Sequence, residues 1–135
     1  LKDSKSIINQ SEADIATSIA KFYLETGIDP KDIGIISPYA DQVNLIKDKI
    51  PVEVKSVDSF QGREKEIIII STVRSNENGN IGFLKDLRRL NVAITRAKRK
   101  LIVIGNKNTL KRNSTYSKLI KFCAKNDLLI NFRYT

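Results

Sequence analysis

The chain contains no histidine and a single cysteine, Cys123, in 135 residues. Those two scarcities remove whole classes of chemistry. Without histidine there is no Ser/His or Cys/His nucleophile pair, and one thiol supplies neither a usual zinc set nor an intrachain disulfide framework. Any chemistry must use arginine, lysine, carboxylates and amides. No run of about 18 apolar residues occurs, and no cationic start leads into an apolar signal core, so neither a membrane span nor a secretory signal is visible. The expected setting is intracellular, cytoplasmic or nuclear, with no membrane partner. Acidic residues are also short, 15 against 24 basic ones, which leaves a net charge of +9 and a pI near 9.7. A polyanionic partner is favoured over an acidic or neutral one. The six glycines, at 27, 34, 62, 79, 82 and 105, never take the Gly-x-x-x-x-Gly-Lys-Ser/Thr spacing, so the chain has no backbone cradle of its own for a triphosphate.

What is present alternates regularly between strand and helix signals. Ser11 can cap a helix over residues 12–26, with Ile15, Ile19 and Phe22 facing inward and Gly27 ending it. Residues 33–36 form a buried strand stopped by Pro38, and Val43, Ile46 and Ile50 mark a second helix closed by Pro51. A strand over 52–57 follows. Residues 67–70 are four consecutive isoleucines, the composition of a strand covered on both faces. That run ends in Ser71 and Thr72 rather than in an acidic pair able to hold magnesium. After a polar loop over 74–82 come an arginine-bearing helix, a strand over 101–104, a helix over 115–125, and residues 128–132 as a candidate edge strand. The expected fold is α/β: an open, mainly parallel sheet with helices on both faces. At 135 residues one domain is expected, able to bury roughly two thirds of its unfolded surface. The start at Leu1 rather than methionine leads to the expectation of a fragment, residues 1–135, of a longer protein.

The segment Leu87-Arg88-Arg89-Leu90-Asn91-Val92-Ala93-Ile94-Thr95-Arg96-Ala97-Lys98 plants arginines on an apolar-patterned helix. Arg89 and Arg96, seven apart, are expected on nearly one side of it, roughly 10 Å from each other. Upstream stand Val57-Asp58-Ser59-Phe60-Gln61-Gly62-Arg63-Glu64-Lys65-Glu66, then Val73-Arg74-Ser75-Asn76, and earlier still Asn9 to Glu12, Pro38-Tyr39 and Gln42. In this order these residues resemble the last motifs of superfamily 1 helicases. They are most similar to the 5′-to-3′ branch, which includes the nonsense-mediated-decay helicase and the immunoglobulin-mu-binding helicase.

That resemblance implies the second RecA-like domain of such an enzyme, a fold of the P-loop NTPase type without its own phosphate-binding loop. It implies ATP-dependent helicase activity for the full-length protein and none for the isolated fragment. ATP and magnesium are the implied cofactors, with the magnesium ligands supplied by the missing first RecA-like domain. The implied partners are that domain and single-stranded DNA or RNA, and the fragment is expected to be monomeric.

Residue by residue, the resemblance makes Arg96 an arginine finger against the γ-phosphate, with Gln61, Gly62 and Glu64 beside the nucleotide. The residues alone leave alternatives open. Arg96 can equally serve as an ion-pair partner for Asp86 or Glu64, Gly62 can simply turn the chain, and Glu64 and Gln61 can be surface groups. Arg89 is expected to be structural or bridging. Pro38, Tyr39, Ser59, Arg74, Ser75 and Asn76 are the candidates for nucleic-acid contact, most of them just after strand carboxyl ends, where open α/β sheets bind ligands. Hydroxyl, amide and guanidinium groups there can hold phosphate and sugar without reading bases. Tyr39 is also explained as a half-buried packing residue. The basic run through 96–100 and the lysines beyond it are in part an ordinary solvated surface. The alternative for the whole chain is a non-enzymatic nucleic-acid-binding module that keeps the helicase-like fold.

Overall fold

The computed structural model describes residues 8–60, 64–73, 93, 95–105, 117, 118, 121 and 125. Their order is helix α1 (Gln10–Glu25), strand β1 (Ile33–Ser37), helix α2 (Ala40–Lys47), and strands β2 (Glu53–Ser56), β3 (Lys65–Ser71) and β4 (Ala97–Ile104). Single 3-10 turns, Pro30–Asp32 and Asp58–Phe60, precede β1 and follow β2. The four strands lie in the order β2-β1-β3-β4, all parallel, which is the expected α/β architecture. Ser117, Lys118, Lys121 and Lys125 are helical, as the expected last helix requires. The candidate edge strand over 128–132 lies outside the described residues.

Alternation along the strands splits the core in two. Ile33, Ile35, Val54, Ile67, Ile69 and Ile104 face α1 and α2, while Ile36, Ile68 and Ile70 face Val57, Phe60 and the helical Ala93. Both faces are therefore covered, which explains why four consecutive isoleucines are tolerated in β3. The crossover from β1 to β2 runs through α2 on one face, and the return from β2 to β3 passes Phe60 on the other. The chain thus reverses direction at β1, and the carboxyl ends of β1 and β3 flank the switch point where such sheets form a crevice.

Four expectations are corrected. The cap of α1 is Asn9, not Ser11: the helix begins at Gln10, and Asn9 Oδ1 accepts the Glu12 N–H at 3.0 Å. Phe22 does not face the core. Ala13, Ala16 and Ala20, all fully buried, form the centre of the helix's inner face, and Phe22 is 59% exposed, its ring set edge-on to Tyr23. Small residues let the helix axis approach the sheet, and a phenylalanine at that contact would hold it away. Strand β4 begins at Ala97 rather than at residue 101. Arg99 Nε lies 2.8 Å from Glu66 Oε1 and Lys98 Nζ 3.9 Å from Glu66 Oε2, so these basic residues pair across strands instead of continuing a helix. α2 also stops at Lys47, leaving Ile50 to enter the core from the turn that follows.

Gly34, the second residue of β1, admits a close approach. A Cβ there would stand 2.7 Å from Phe60 Cζ, 3.1 Å from Ile68 Cδ1 and 3.2 Å from Lys65 Cγ. The missing side chain makes room for the Phe60 ring, which pins the β2–β3 connection to the sheet.

Candidate functional site

The sequence-predicted residues that the structure describes divide between the two ends of the sheet. At the amino end, β3 and β4 pair with Lys65 opposite Ala97, and the Lys65 N–H donates to the Arg96 carbonyl at 2.9 Å. Glu64 and Arg96, the residues just before those strands, are thereby set side by side. Glu64 is exposed and Arg96 half-buried. Arg96 does not sit on a helix as expected: it occupies a turn, its N–H donating to the Ala93 carbonyl at 3.2 Å and its Nη2 to Thr95 Oγ1 at 3.2 Å. A helical side shared by Arg96 and Arg89 is therefore not its geometry, and Arg89 lies outside the described residues. So do Gln61 and Gly62. What the amino end brings together is the backbone of Glu64 and Arg96 on adjacent strand starts, and the Arg96 guanidinium is the group there whose chemistry suits a multiply charged oxyanion.

At the carboxyl end, Pro38 and Tyr39 follow β1 directly, both half-buried. The Tyr39 N–H reaches Ser37 Oγ at 3.4 Å, and Tyr39 is the N-cap residue of α2 with no side-chain cap bond. Ser59 is exposed in the turn after β2, where Ser56 Oγ donates to Ser59 Oγ at 3.2 Å. Arg74, Ser75 and Asn76 fall outside the described residues, but Val73, the residue before them, is described.

Sequence reasoning missed the polar cluster beneath this edge. Glu12, Ser71 and Gln42 are almost wholly buried, with exposures of 5%, 0% and 0%. Ser71 Oγ donates to Glu12 Oε1 at 2.7 Å, and the Val73 N–H donates to the same oxygen at 2.9 Å. Gln42 Nε2 donates to Ser71 Oγ at 3.2 Å and to the Asn9 carbonyl at 3.1 Å, while Gln42 Oε1 accepts the Asn9 N–H at 2.9 Å. Asn9 Nδ2 completes the set by donating to the Val73 carbonyl at 3.3 Å. Burial raises the Glu12 carboxyl above its ordinary value, against the opposing effect of the hydrogen bonds from Ser71, Val73 and Thr72. Two signals in the sequence point to the cluster: a glutamate beside the alanine stripe of α1, and a serine closing an isoleucine strand.

A sequence profile described as "AAA domain" matches residues 1–108. The chain belongs to that family. Its relatives make it a superfamily 1 helicase of the type that includes regulator of nonsense transcripts 1 and DNA2. It is 43% identical over 132 residues to the bovine "DNA replication ATP-dependent helicase/nuclease DNA2", covering 93% of this chain and 12% of that protein. It is 42% identical over 137 residues to the "Regulator of nonsense transcripts 1 homolog" of Drosophila melanogaster, again with 93% and 12% covered. A third relative, the "DNA polymerase alpha-associated DNA helicase A" of Schizosaccharomyces pombe, is 47% identical over 140 residues, covering 99% of this chain and 21% of that protein. The chain thus spans between about an eighth and a fifth of the length of these curated relatives. Its parallel sheet and helices are those of a RecA-like domain.

Proposed function

We propose that the chain is the second RecA-like motor domain of an ATP-dependent nucleic-acid helicase, acting inside the cell as part of a longer protein. The observation that carries this is the pairing of β3 with β4, which sets Glu64 and Arg96 together at one sheet edge, in a chain whose relatives bear ATP-dependent helicase names. Arg96 meets the γ-phosphate of ATP held mainly by the first RecA-like domain, and Gln61, Gly62 and Glu64 order the nucleotide beside it. A planar guanidinium spans two phosphate oxygens as charge builds on them, which a point charge does less well. Magnesium, when bound, neutralises charge across the phosphate oxygens. Its ligands, in this proposal, come from the first domain, and the residues here act on the phosphate side.

Pro38, Tyr39 and Ser59 at the opposite edge, together with Arg74, Ser75 and Asn76, contact single-stranded DNA or RNA through phosphate and sugar. The isolated chain is a monomer that binds single strands weakly and does not turn over ATP. Alternation between open and closed arrangements of the two motor domains converts hydrolysis into movement along the strand.

The deciding experiment uses the full-length protein. Arg96→Ala should lower ATP turnover by about 10³ to 10⁵, the usual contribution of an arginine finger, with single-strand binding and melting temperature close to wild type. Arg96→Lys should restore little. A lowered melting temperature with turnover per folded molecule preserved would instead make Arg96 a structural residue and remove it from the site.

A further inference from the structure

Val73 has φ +73°. A β-branched residue is an outlier in this left-handed region, because its Cβ crowds the backbone, and it persists there only when its surroundings hold it. Among the described residues it is the one non-glycine position with positive φ. Both of its backbone polar groups are taken by side chains from the start of α1, more than sixty residues away. Glu12 Oε1 accepts its N–H at 2.9 Å, and Asn9 Nδ2 donates to its carbonyl at 3.3 Å. Glu12 is itself fixed by Ser71, and Asn9 by a two-way contact with Gln42. Val73 is 3% exposed, so neither backbone group can turn to water instead. All four clamping side chains come from elements that meet at the carboxyl ends of β1 and β3.

We infer that the Asn9–Glu12 turn of α1 is a clamp that holds Val73 in its strained conformation, and so sets the direction in which the chain leaves β3 toward nucleic acid. Glu12 and Asn9 are thus positioning residues for strand binding. They touch no ligand and act through the Val73 backbone. This rests on the proposal that the residues following Val73 bind single strands. The clamp is built from two separate contacts because one would leave the peptide free to rotate about the other. Without it, Val73 relaxes to negative φ, and the binding-competent exit becomes a minor population, weakening the apparent affinity in proportion.

The test measures binding of fluorescein-labelled oligothymidylate and oligouridylate to the 135-residue chain at low salt, with folding checked by circular dichroism on the same samples. Glu12→Asp keeps the charge but withdraws the oxygen from the Val73 N–H, and should weaken binding about fivefold or more, the lower end of what strain at such a residue implies. Glu12→Gln keeps an oxygen within reach and should bind within about twofold of wild type. Val73→Gly in the Glu12→Asp background should restore binding, because glycine takes positive φ without a clamp. A merely structural Glu12 predicts the reverse, since a strand-end glycine adds flexibility to an already weakened fold. Unchanged binding by Glu12→Asp, or failure of Val73→Gly to restore it, overturns the inference while leaving strand binding intact. If Glu12→Asp does not fold, Asn9→Ser carries the same two outcomes, since it keeps a capping hydroxyl and loses the contact to the Val73 carbonyl. Absence of salt-sensitive binding by the wild-type chain would overturn the strand-binding proposal itself, and the clamp's role with it.

Discussion

Replacing Gly34 with alanine is the smallest perturbation that reaches the connection between the two sheet edges. Two opposing effects must be weighed. Alanine stiffens the unfolded chain relative to glycine, a gain of about 0.4–1 kcal/mol where the native backbone accepts it. Against this, the new methyl would stand 2.7 Å from Phe60 Cζ and 3.1 Å from Ile68 Cδ1. Phe60 is fully buried, so its ring has no empty volume to enter, and overpacking of this kind costs about 1–3 kcal/mol. Overpacking wins by about 1–2 kcal/mol. With an unfolding entropy near 2.1 cal/mol/K per residue, the 135-residue chain should lose roughly 4–7 °C in melting temperature. Phe60→Leu removes the clashing Cζ at a cost of its own, and the double variant Gly34→Ala/Phe60→Leu should be about 1 kcal/mol more stable than the sum of the two single changes. Thermal melts of the four proteins, followed by circular dichroism and calorimetry, give the cycle. A Gly34→Ala chain as stable as wild type, or strictly additive effects, would refute the packing of Phe60 through the Gly34 gap.

Burial raises the Glu12 carboxyl above its ordinary 4.5, so its contribution to stability is fully present below that value and is lost as pH rises through the folded value. Glu12→Gln carries no proton to lose, and the melting-temperature difference, variant minus wild type, should become more positive between about pH 4 and about pH 8; a flat difference would contradict burial of an ionisable Glu12. Single-strand binding should weaken steeply with salt, and Arg74→Ala should reduce the log-log slope by about 0.7. An unchanged slope in the Arg74 variant would remove that residue from the strand path.

The fold was legible because its signals are redundant. Residues 67–70 could only be a strand covered twice, Gly27 takes φ +101° just past the end of α1, and each strand signal precedes or follows a helix signal at crossover distance. The errors lie where a tertiary contact outweighed a local pattern. Phe22 fits a helical repeat with Ile15 and Ile19, yet the close sheet contact selects the alanines. The segment after Arg96 has helix-forming composition, but the parallel ladder with β3 takes it into a strand, where Lys98 and Arg99 pair with Glu66. The Asn9–Glu12–Gln42–Ser71 cluster was the least legible part. Two of its bonded members, Glu12 and Ser71, lie 59 residues apart, and no single one of them announces a partner. Of the candidate site, the sequence offered Glu64 as one of two possible partners for Arg96, and the β3–β4 register sets the two residues side by side along the backbone.

Strand β3 is the physical link between the two edges. It has seven residues, so at about 3.3 Å each its ends stand roughly 20 Å apart, more than twice the screening length of about 8 Å at physiological salt. Charge at one edge therefore has little direct influence at the other. The strand nevertheless begins beside Arg96, through the Lys65 N–H, and leads at its far end into Val73, whose N–H is held by Glu12. Its isoleucines are packed on both faces, and a strand confined that way cannot slide or bend independently of the sheet. On the proposed reading, in which two motor domains close at the Arg96 edge, a movement imposed there would appear at the Val73 edge as a displacement of the whole sheet. A rigid β3, held at its far end by the contact of Glu12 with the Val73 N–H, would in that proposal carry closure at one edge to Val73 at the other.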